Sequence, residues 1–408
     1  MSVLTHSLHF TNPGGKSMGW KECNKMDEKL KFIARYLEGE KIAPLCKEFG
    51  ITRPTAYKLI DRYKMMGQCA LVEQKRTPHR YANSLPVQIE AMILDLKRDY
   101  PNWGAPKIRE KIIKKYPDVK APAKSTVHAI LDRHGLVKHR LGRRRFKATG
   151  TPLEHVTEPN QLWCADYKGE FMLGNRQYCY PLTITDYASR YLIKCDALSS
   201  TREEFAFEVF TRAFKEFGLP DSLRTDNGNP FANGQSFYNL TKLSVWWMRH
   251  GINLERITPG EPQENGRHER MHLTLKLETT RPPRQTLISQ QEAFDNFQNI
   301  FNFERPHEGI KNKYPSEIYK RSDKEFKKLE PLFYPMHDQT ITVTTCGRIC
   351  TKKLKVSLSR SFAGQQVGIK EMEDGIWVVS FMDYDLGYFD EKGTRVEPVD
   401  DPFGFTKV

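Results

Sequence analysis

The spacing of apolar residues changes at Gln161, and that change most limits the folds open to this chain. Before it they recur at helical intervals: Ile33, Tyr36 and Leu37, then Ile42, Leu45 and Cys46, then Tyr57, Ile60 and Tyr63. After it, runs of β-formers at 162–167, 179–185 and 191–195 are separated by turn-rich segments around Gly174-Asn175 and Asp186-Tyr-Ala-Ser189. One uniform architecture is excluded. The pattern predicts a multidomain α+β chain, with all-α units first and a sheet-containing domain behind them.

The first unit, residues 20–68, reads as a helix-turn-helix. Gly50 supplies a turn that needs positive φ, and Thr52 stands where it can cap a helix opening at Arg53-Pro54. Residues 53–64 form the recognition helix, with Arg53, Thr55 and Lys58 as candidate DNA contacts. Cys46, four residues before the turn glycine, is a small packing residue. A second unit, 84–137, has helices at 87–98, 106–115 and 125–134, the last capped by Ser125 and carrying Lys124 at its start. It predicts another helix-turn-helix or a winged variant. Amphipathic helices serve protein partners equally well, but turn chemistry and charge favour DNA. The linker 138–150 holds Lys138, Arg140, Arg143, Arg144, Arg145 and Lys147 with no acid among them, a composition that tracks phosphates. The whole chain has 64 Lys+Arg against 50 Asp+Glu, formally +14, which calls for a polyanionic partner.

Within 151–325 the three-strand meander is followed by a helix at 202–217 ended by Gly218, a short strand reaching Asp226, a helix at 236–250 and a strand at 253–256. Helices at about 263–277 and 290–303 complete a mixed five-stranded sheet with helices on its faces. From Thr340, β-formers between turn residues predict a small β-barrel over 335–400. No apolar run approaches the roughly 20 residues of a membrane helix, so no membrane partner is expected. Residues 1–19 lack an export signal, which predicts a cytoplasmic location. The eight cysteines are scattered; only Cys346 and Cys350 lie close together, without zinc-site partners, so reduced and mostly buried thiols are expected.

Three acids stand out: Asp166 in Trp163-Cys-Ala-Asp-Tyr-Lys-Gly169, Asp226 in Arg224-Thr-Asp-Asn-Gly-Asn-Pro-Phe231, and Glu269 in Pro262-Gln-Glu-Asn-Gly-Arg-His-Glu-Arg270. An aspartate inside a strand costs several kcal/mol if buried alone, and a metal is one remedy. Asp-Asn-Gly after a strand is equally a plain turn. Glu269 shares a helical stripe with Asn265, His272 and Lys276, which by itself would suit a wet helix face; Met271 and Leu275 lie opposite, where they can anchor the helix. Three carboxylates brought together can hold two divalent cations, Mg²⁺ or Mn²⁺ given hard oxygen donors, and so handle phosphodiesters. His268 and His272 read as DNA contacts or packing, and Asp186 as a structural cap paired with Ser189 or Arg190.

Together these stretches, with Lys276 seven beyond the glutamate and Asn302-x-x-Arg-Pro-His307, resemble the integrase-core superfamily of retroviral integrases and bacterial insertion-sequence transposases over roughly residues 35–325. The resemblance implies an RNase H-like α/β core in which Asp166, Asp226 and Glu269 are the catalytic metal-binding triad, with two ions per site. Lys276 would touch the DNA end, and Arg267 and Arg270 could neutralise phosphate. Separation of Asp226 from Glu269 is longer than usual, which loop length tolerates. Glu264 is a rival third ligand, though the Asn265-Gly266 pair aligns with the superfamily through Glu269. The implied function is a transposase that binds the terminal inverted repeats of a mobile element, cleaves 3′ ends and joins them to target DNA, as a homo-oligomer on double-stranded DNA. The alternatives are a catalytically silent DNA-binding regulator and an RNase H-type nuclease.

Overall fold

The computed structural model describes residues 25–72, 85–138, 156–234, 236–257, 265–351, 354–373, 375–390, 393–399 and 403. Arg140, Arg143, Arg144 and Arg145 of the basic linker, and Glu264, lie outside them. The chain divides into two compact units, 1–84 and 85–408.

In the first unit, α1 (Lys25–Leu37), α2 (Ile42–Glu48) and α3 (Arg53–Met66) enclose Phe32, Ile33, Leu45, Cys46, Ala56 and Ile60. Gly50 has φ 63°, the left-handed turn its position requires. Thr52 is the residue before α3 but makes no capping bond to the backbone; its Oγ1 meets Thr55 Oγ1 at 2.8 Å instead.

The second unit begins with α4 (Val87–Asp99), α5 (Ala105–Lys115) and α6 (Lys124–Arg133) around Ile93, Trp103, Ile108, Ile112 and Val127. Ala123, not Ser125, precedes α6, so Ser125 sits inside the first turn and does not cap it. Residues 85–138 contain no strand and hence no wing. This bundle docks on the domain behind it. Lys111 Nζ lies 2.7 Å from Glu304, Tyr100 Oη bonds the same carboxylate, and Lys114 pairs with Glu317 at 2.6 Å while its Nζ lies 3.3 Å from the centre of the Tyr314 ring.

That domain is a mixed sheet of β1 (Leu162–Tyr167), β2 (Phe171–Met172), β3 (Tyr178–Asp186), β4 (Leu192–Leu198), β5 (Ser222–Thr225) and β6 (Asn253–Arg256), ordered β2-β3-β1-β5-β6 with β4 on β3. It has one short strand, β2, more than the five expected. Alternation on β1 sends Trp163 and Ala165 to a core with α7 (Glu203–Phe217) and α8 (Lys242–Arg249). Cys164 and Asp166 therefore face α9 (Gly266–Thr279) and α10 (Leu287–Phe303), where Met271, Leu275, Phe294 and Phe297 pack on Cys179, Leu192 and Cys195. The helix expected at 236–250 is split. Tyr238 and Asn239 take positive φ in a 3₁₀ turn, and a Thr241–Ser244 capping box starts α8 afresh.

The edge strand β4 is finished by side-chain amides of α10. Asn302 accepts from Leu192 N and donates to Leu192 O, both at 2.8 Å; Gln298 donates to Ile193 O, and Gln291 bridges Ala197 N and Cys195 O. Arg305 reaches back to Glu278 of α9 at 2.6 Å. The Asn302-x-x-Arg-Pro-His307 stretch thus joins α10 to the sheet and to α9.

The C-terminal part is not a closed barrel among the described residues. It consists of β7 (Gln339–Thr342), β8 (Arg348–Cys350), β9 (Lys355–Ser357), β10 (Gln366–Glu373), β11 (Ile376–Phe381), β12 (Tyr384–Asp390) and β13 (Glu397–Pro398). Five of these form an open sheet, β13-β12-β11-β10-β7, while β8 and β9 pair apart from it, so no continuous ladder joins the two edges. Its core, with Ile349, Phe362, Val379 and Phe381, continues into Phe237, Leu240, Val245 and Met248 of the α8 region. The cysteines among the described residues are free thiols; Cys46, Cys164, Cys179 and Cys195 are buried, whereas Cys69, Cys346 and Cys350 are exposed. Among the described residues no helix is long and apolar enough to cross a membrane.

Candidate active site

Strand pairing sets the two aspartates. Cys164 on β1 registers with Arg224 on the parallel β5. Extending that register by two residues sets Asp226, just past β5, beside Asp166. Burial, then the charge of Asp226, pushes the Asp166 carboxyl up to about 7, with Glu269 adding to the same effect. Burial also raises Asp226, against the backbone N–H of Gly228, and its Oδ1 is buried without a partner. Glu269 is exposed in the first turn of α9. The three carboxylates therefore share one electrostatic field, with Glu269 at its outer side.

Behind Asp166 lies a hydroxyl and imidazole network. Thr183, opposite Asp166 in the β1–β3 register, donates to the Asp166 carbonyl oxygen at 3.1 Å. Its Oγ1 also meets His268 Nε2 at 2.8 Å and His272 Nε2 at 2.7 Å, and His268 Nδ1 meets Thr185 Oγ1 at 2.8 Å. One hydroxyl proton serves one acceptor, so the network assigns both Nε2 atoms as donors and leaves His272 Nδ1 a bare lone pair. That atom is 3.8 Å from Asp166 Oδ2. Burial, then Lys168, holds the His272 imidazole down to about 3, so it is neutral and the contact is no ion pair.

Asp166, His268 and His272 are close enough to share a cation. His268 is excluded as a donor because both ring nitrogens are already bonded. An orphaned Oδ1 on Asp226, a carboxyl raised by burial on Asp166 and a bare imidazole nitrogen on His272 fit a divalent cation that accepts oxygen and nitrogen ligands.

The other expected residues are dispersed. Arg53, Thr55 and Lys58 are exposed on α3, and Lys124 is exposed at the start of α6. Lys276 is exposed two turns beyond Glu269, and its charge reaches Lys168. Arg270 is exposed. Arg267 lies over the Tyr187 ring, 4.0 Å from its centre, and donates to Tyr187 O at 3.3 Å. Asp186 is the expected structural cap: Asn160 N bonds one oxygen, while Ser189 N and Oγ bond the other.

Residues 156–262 and 250–315 each match the family described as integrase core domain. The chain carries an integrase core. Residues 28–79 match a helix-turn-helix domain and 55–131 a homeodomain-like domain, so the integrase core follows domains that imply DNA binding. Among solved structures, the HTLV-2 integrase catalytic core domain in complex with magnesium is similar at 16% identity, covering 40% of this chain and 98% of that one, with TM-score 0.32. A simian T-cell lymphotropic virus intasome in complex with a PP2A regulatory subunit is similar at 12% identity over 76% of this chain and 100% of that one, with TM-score 0.36. The BIV integrase catalytic core domain shows 18% identity over 39% and 93%, with TM-score 0.30.

Thr183, Thr185 and Lys168 near the carboxylates escape a reading of motifs, as does the contact that His272, already placed on the Glu269 stripe, makes with Thr183. Thr183 and Thr185 mark one strand face at period two, and His272 stands three residues beyond Glu269, so the signal was present but needed the β1–β3 register. Lys168 points to the same side of β1 as Asp166, and burial followed by Lys276 lowers its ammonium.

Proposed function

We propose that this integrase-core protein is a DNA transposase that binds the terminal inverted repeats of a mobile element, cleaves the 3′ ends and joins them to target DNA. Asp166, Asp226 and Glu269 are the groups that would hold two Mg²⁺ or Mn²⁺ ions. Bound there, the cations supply Lewis acidity for in-line displacement at phosphorus. The chain's own residues do the rest. Asp226 and Asp166 offer oxygens from adjacent strands, Thr183 anchors the Asp166 backbone and the His272 ring so that His272 Nδ1 stands beside the carboxylate, and Lys276 with Lys168 holds phosphates of the incoming strand. Helices α3 and α6 present Arg53, Thr55, Lys58 and Lys124 to duplex DNA, and the basic linker adds non-specific grip.

The observation that carries this reading is the buried, unpartnered Oδ1 of Asp226 beside a second carboxyl that burial and charge have raised. The test uses a labelled terminal-repeat duplex with Mg²⁺. The wild-type chain should nick and join it, while Asp166→Asn, Asp226→Asn and Glu269→Gln should bind the duplex at wild-type affinity and leave it intact. Variants that still nick at wild-type rate sink the assignment of the triad, and a wild-type chain that binds without nicking identifies a silent regulator.

A further inference from the structure

Away from the carboxylates, five cationic side chains converge on one cleft of about 90 Å³: Lys107 of α5, Arg190 of the β3–β4 turn, Arg267 and Arg270 of α9, and Arg305 after α10. Elements distant in sequence bring like charges together here, which costs free energy unless an anion joins them. The chain supplies little of it. Asp186 lines the cleft, but both its oxygens are taken by Asn160 and Ser189. Glu278 pairs with Arg305, and it and Glu308 offset the charge of Lys107 without outweighing burial and Arg305; neither is among the residues that line the cleft.

Arg190 is the clearest sign of a missing partner. It sits at φ 63°, a backbone conformation unfavourable for a side chain of its size, and its Nε is buried without a hydrogen bond. Gly309 leaves the space its guanidinium fills, since a Cβ there would collide with it. Burial, then Arg267 and Arg270, lowers this guanidinium to about 10; burial, then Arg305, lowers Lys107 to about 8. Arg267 is meanwhile held over the Tyr187 ring and by the Tyr187 carbonyl, and Arg305 by Glu278. Three of the five, Arg190, Arg267 and Arg305, are thus positioned before anything binds.

We propose that this cleft is a binding site for a phosphate group. A planar carboxylate is saturated by one guanidinium fork, whereas donors arriving from a turn and three helical segments surround a tetrahedral oxyanion. The phosphate comes either from the DNA backbone or from free orthophosphate. Cys164 forms part of the lining two residues before Asp166 on the same strand face, which sets the cleft roughly 7 Å along the strand from that carboxylate. The DNA source rests on the transposase reading; the orthophosphate source does not.

The test uses the full chain with a chelator present. Orthophosphate should raise the melting temperature saturably over chloride at matched ionic strength. Arg190→Gln and Arg270→Gln should each weaken the half-saturating concentration by at least about tenfold, a change of roughly 1.4 kcal/mol. Arg270 is exposed at the cleft, so R270Q reports even if R190Q does not fold. If DNA is the source, orthophosphate competes with duplex, and each variant flattens the slope of log affinity against log salt by about one. If free phosphate is the source, the variants lose orthophosphate binding and keep duplex affinity. No saturable difference between phosphate and chloride, or variants that respond like wild type, overturns the site. These readouts are taken without metal, so their failure leaves the carboxylate assignment standing, and an Asp166→Asn chain that fails to nick in Mg²⁺ yet still binds phosphate in the chelator leaves this one standing.

Discussion

Thr183 holds three groups with one hydroxyl, the Asp166 carbonyl and two imidazoles. Thr183→Val keeps the shape and removes the bonds, and should lower nicking about 10–100-fold with duplex binding unchanged, while Thr183→Ser should recover most of it. The raised carboxyl of Asp166 gives a pH signature. Its proton competes with a cation, so calorimetry should show Mn²⁺ affinity falling about tenfold per pH unit below about 7 and levelling above it. The sign for stability is opposite to that of a salt-bridged acid. A folded-state value above the unfolded one favours folding at low pH, and that stability is lost as pH rises through about 7. Metal-free Asp166→Asn should therefore melt higher than wild type at pH 8. The aspartates stood out in the sequence because each sits in a distinctive local setting, and the β1–β5 pairing sets them side by side. The Thr183 network was not, since its members lie more than eighty residues apart and only sheet register joins them.

Helix α10 shows how much an element does beyond its apolar stripe. Its amides complete the ladder of β4, so Asn302→Ala leaves the Leu192 N–H unpaired inside the domain and its C=O held by Gln298 alone. A loss of about 1–3 kcal/mol is expected in urea unfolding, more than an exposed Asn→Ala costs. Periodicity found nearly every long helix and the strands of the meander, because amphipathic faces had to be buried. It failed where geometry decides alone. Thr52 and Ser125 had the right chemistry for caps but not the required backbone bonds, and β2 is two residues long. The β7–β13 region read as a barrel because alternating β-formers specify a sheet without specifying whether its edges meet.

At the scale of the molecule, the C-terminal sheet is built into the integrase core through Phe237, Leu240, Val245 and Met248. A chain ended at residue 334 should be recovered mainly as aggregate, because that apolar surface loses its cover; a soluble, monodisperse product would show the sheet to be dispensable. The bundle α4–α6 is likewise fastened, by Tyr100 and Lys111 on Glu304 and by Lys114 against Tyr314 and Glu317. Fastening of this kind turns the protein into a ruler. On the proposed function, the interval between the base pairs α6 would touch and the bond offered to the carboxylates is set by these contacts and not by the length of the basic linker. Inserting four residues into that linker should leave the cut at the same nucleotide, whereas Glu304→Gln combined with Lys114→Ala should scatter it over neighbouring positions on a sequencing gel.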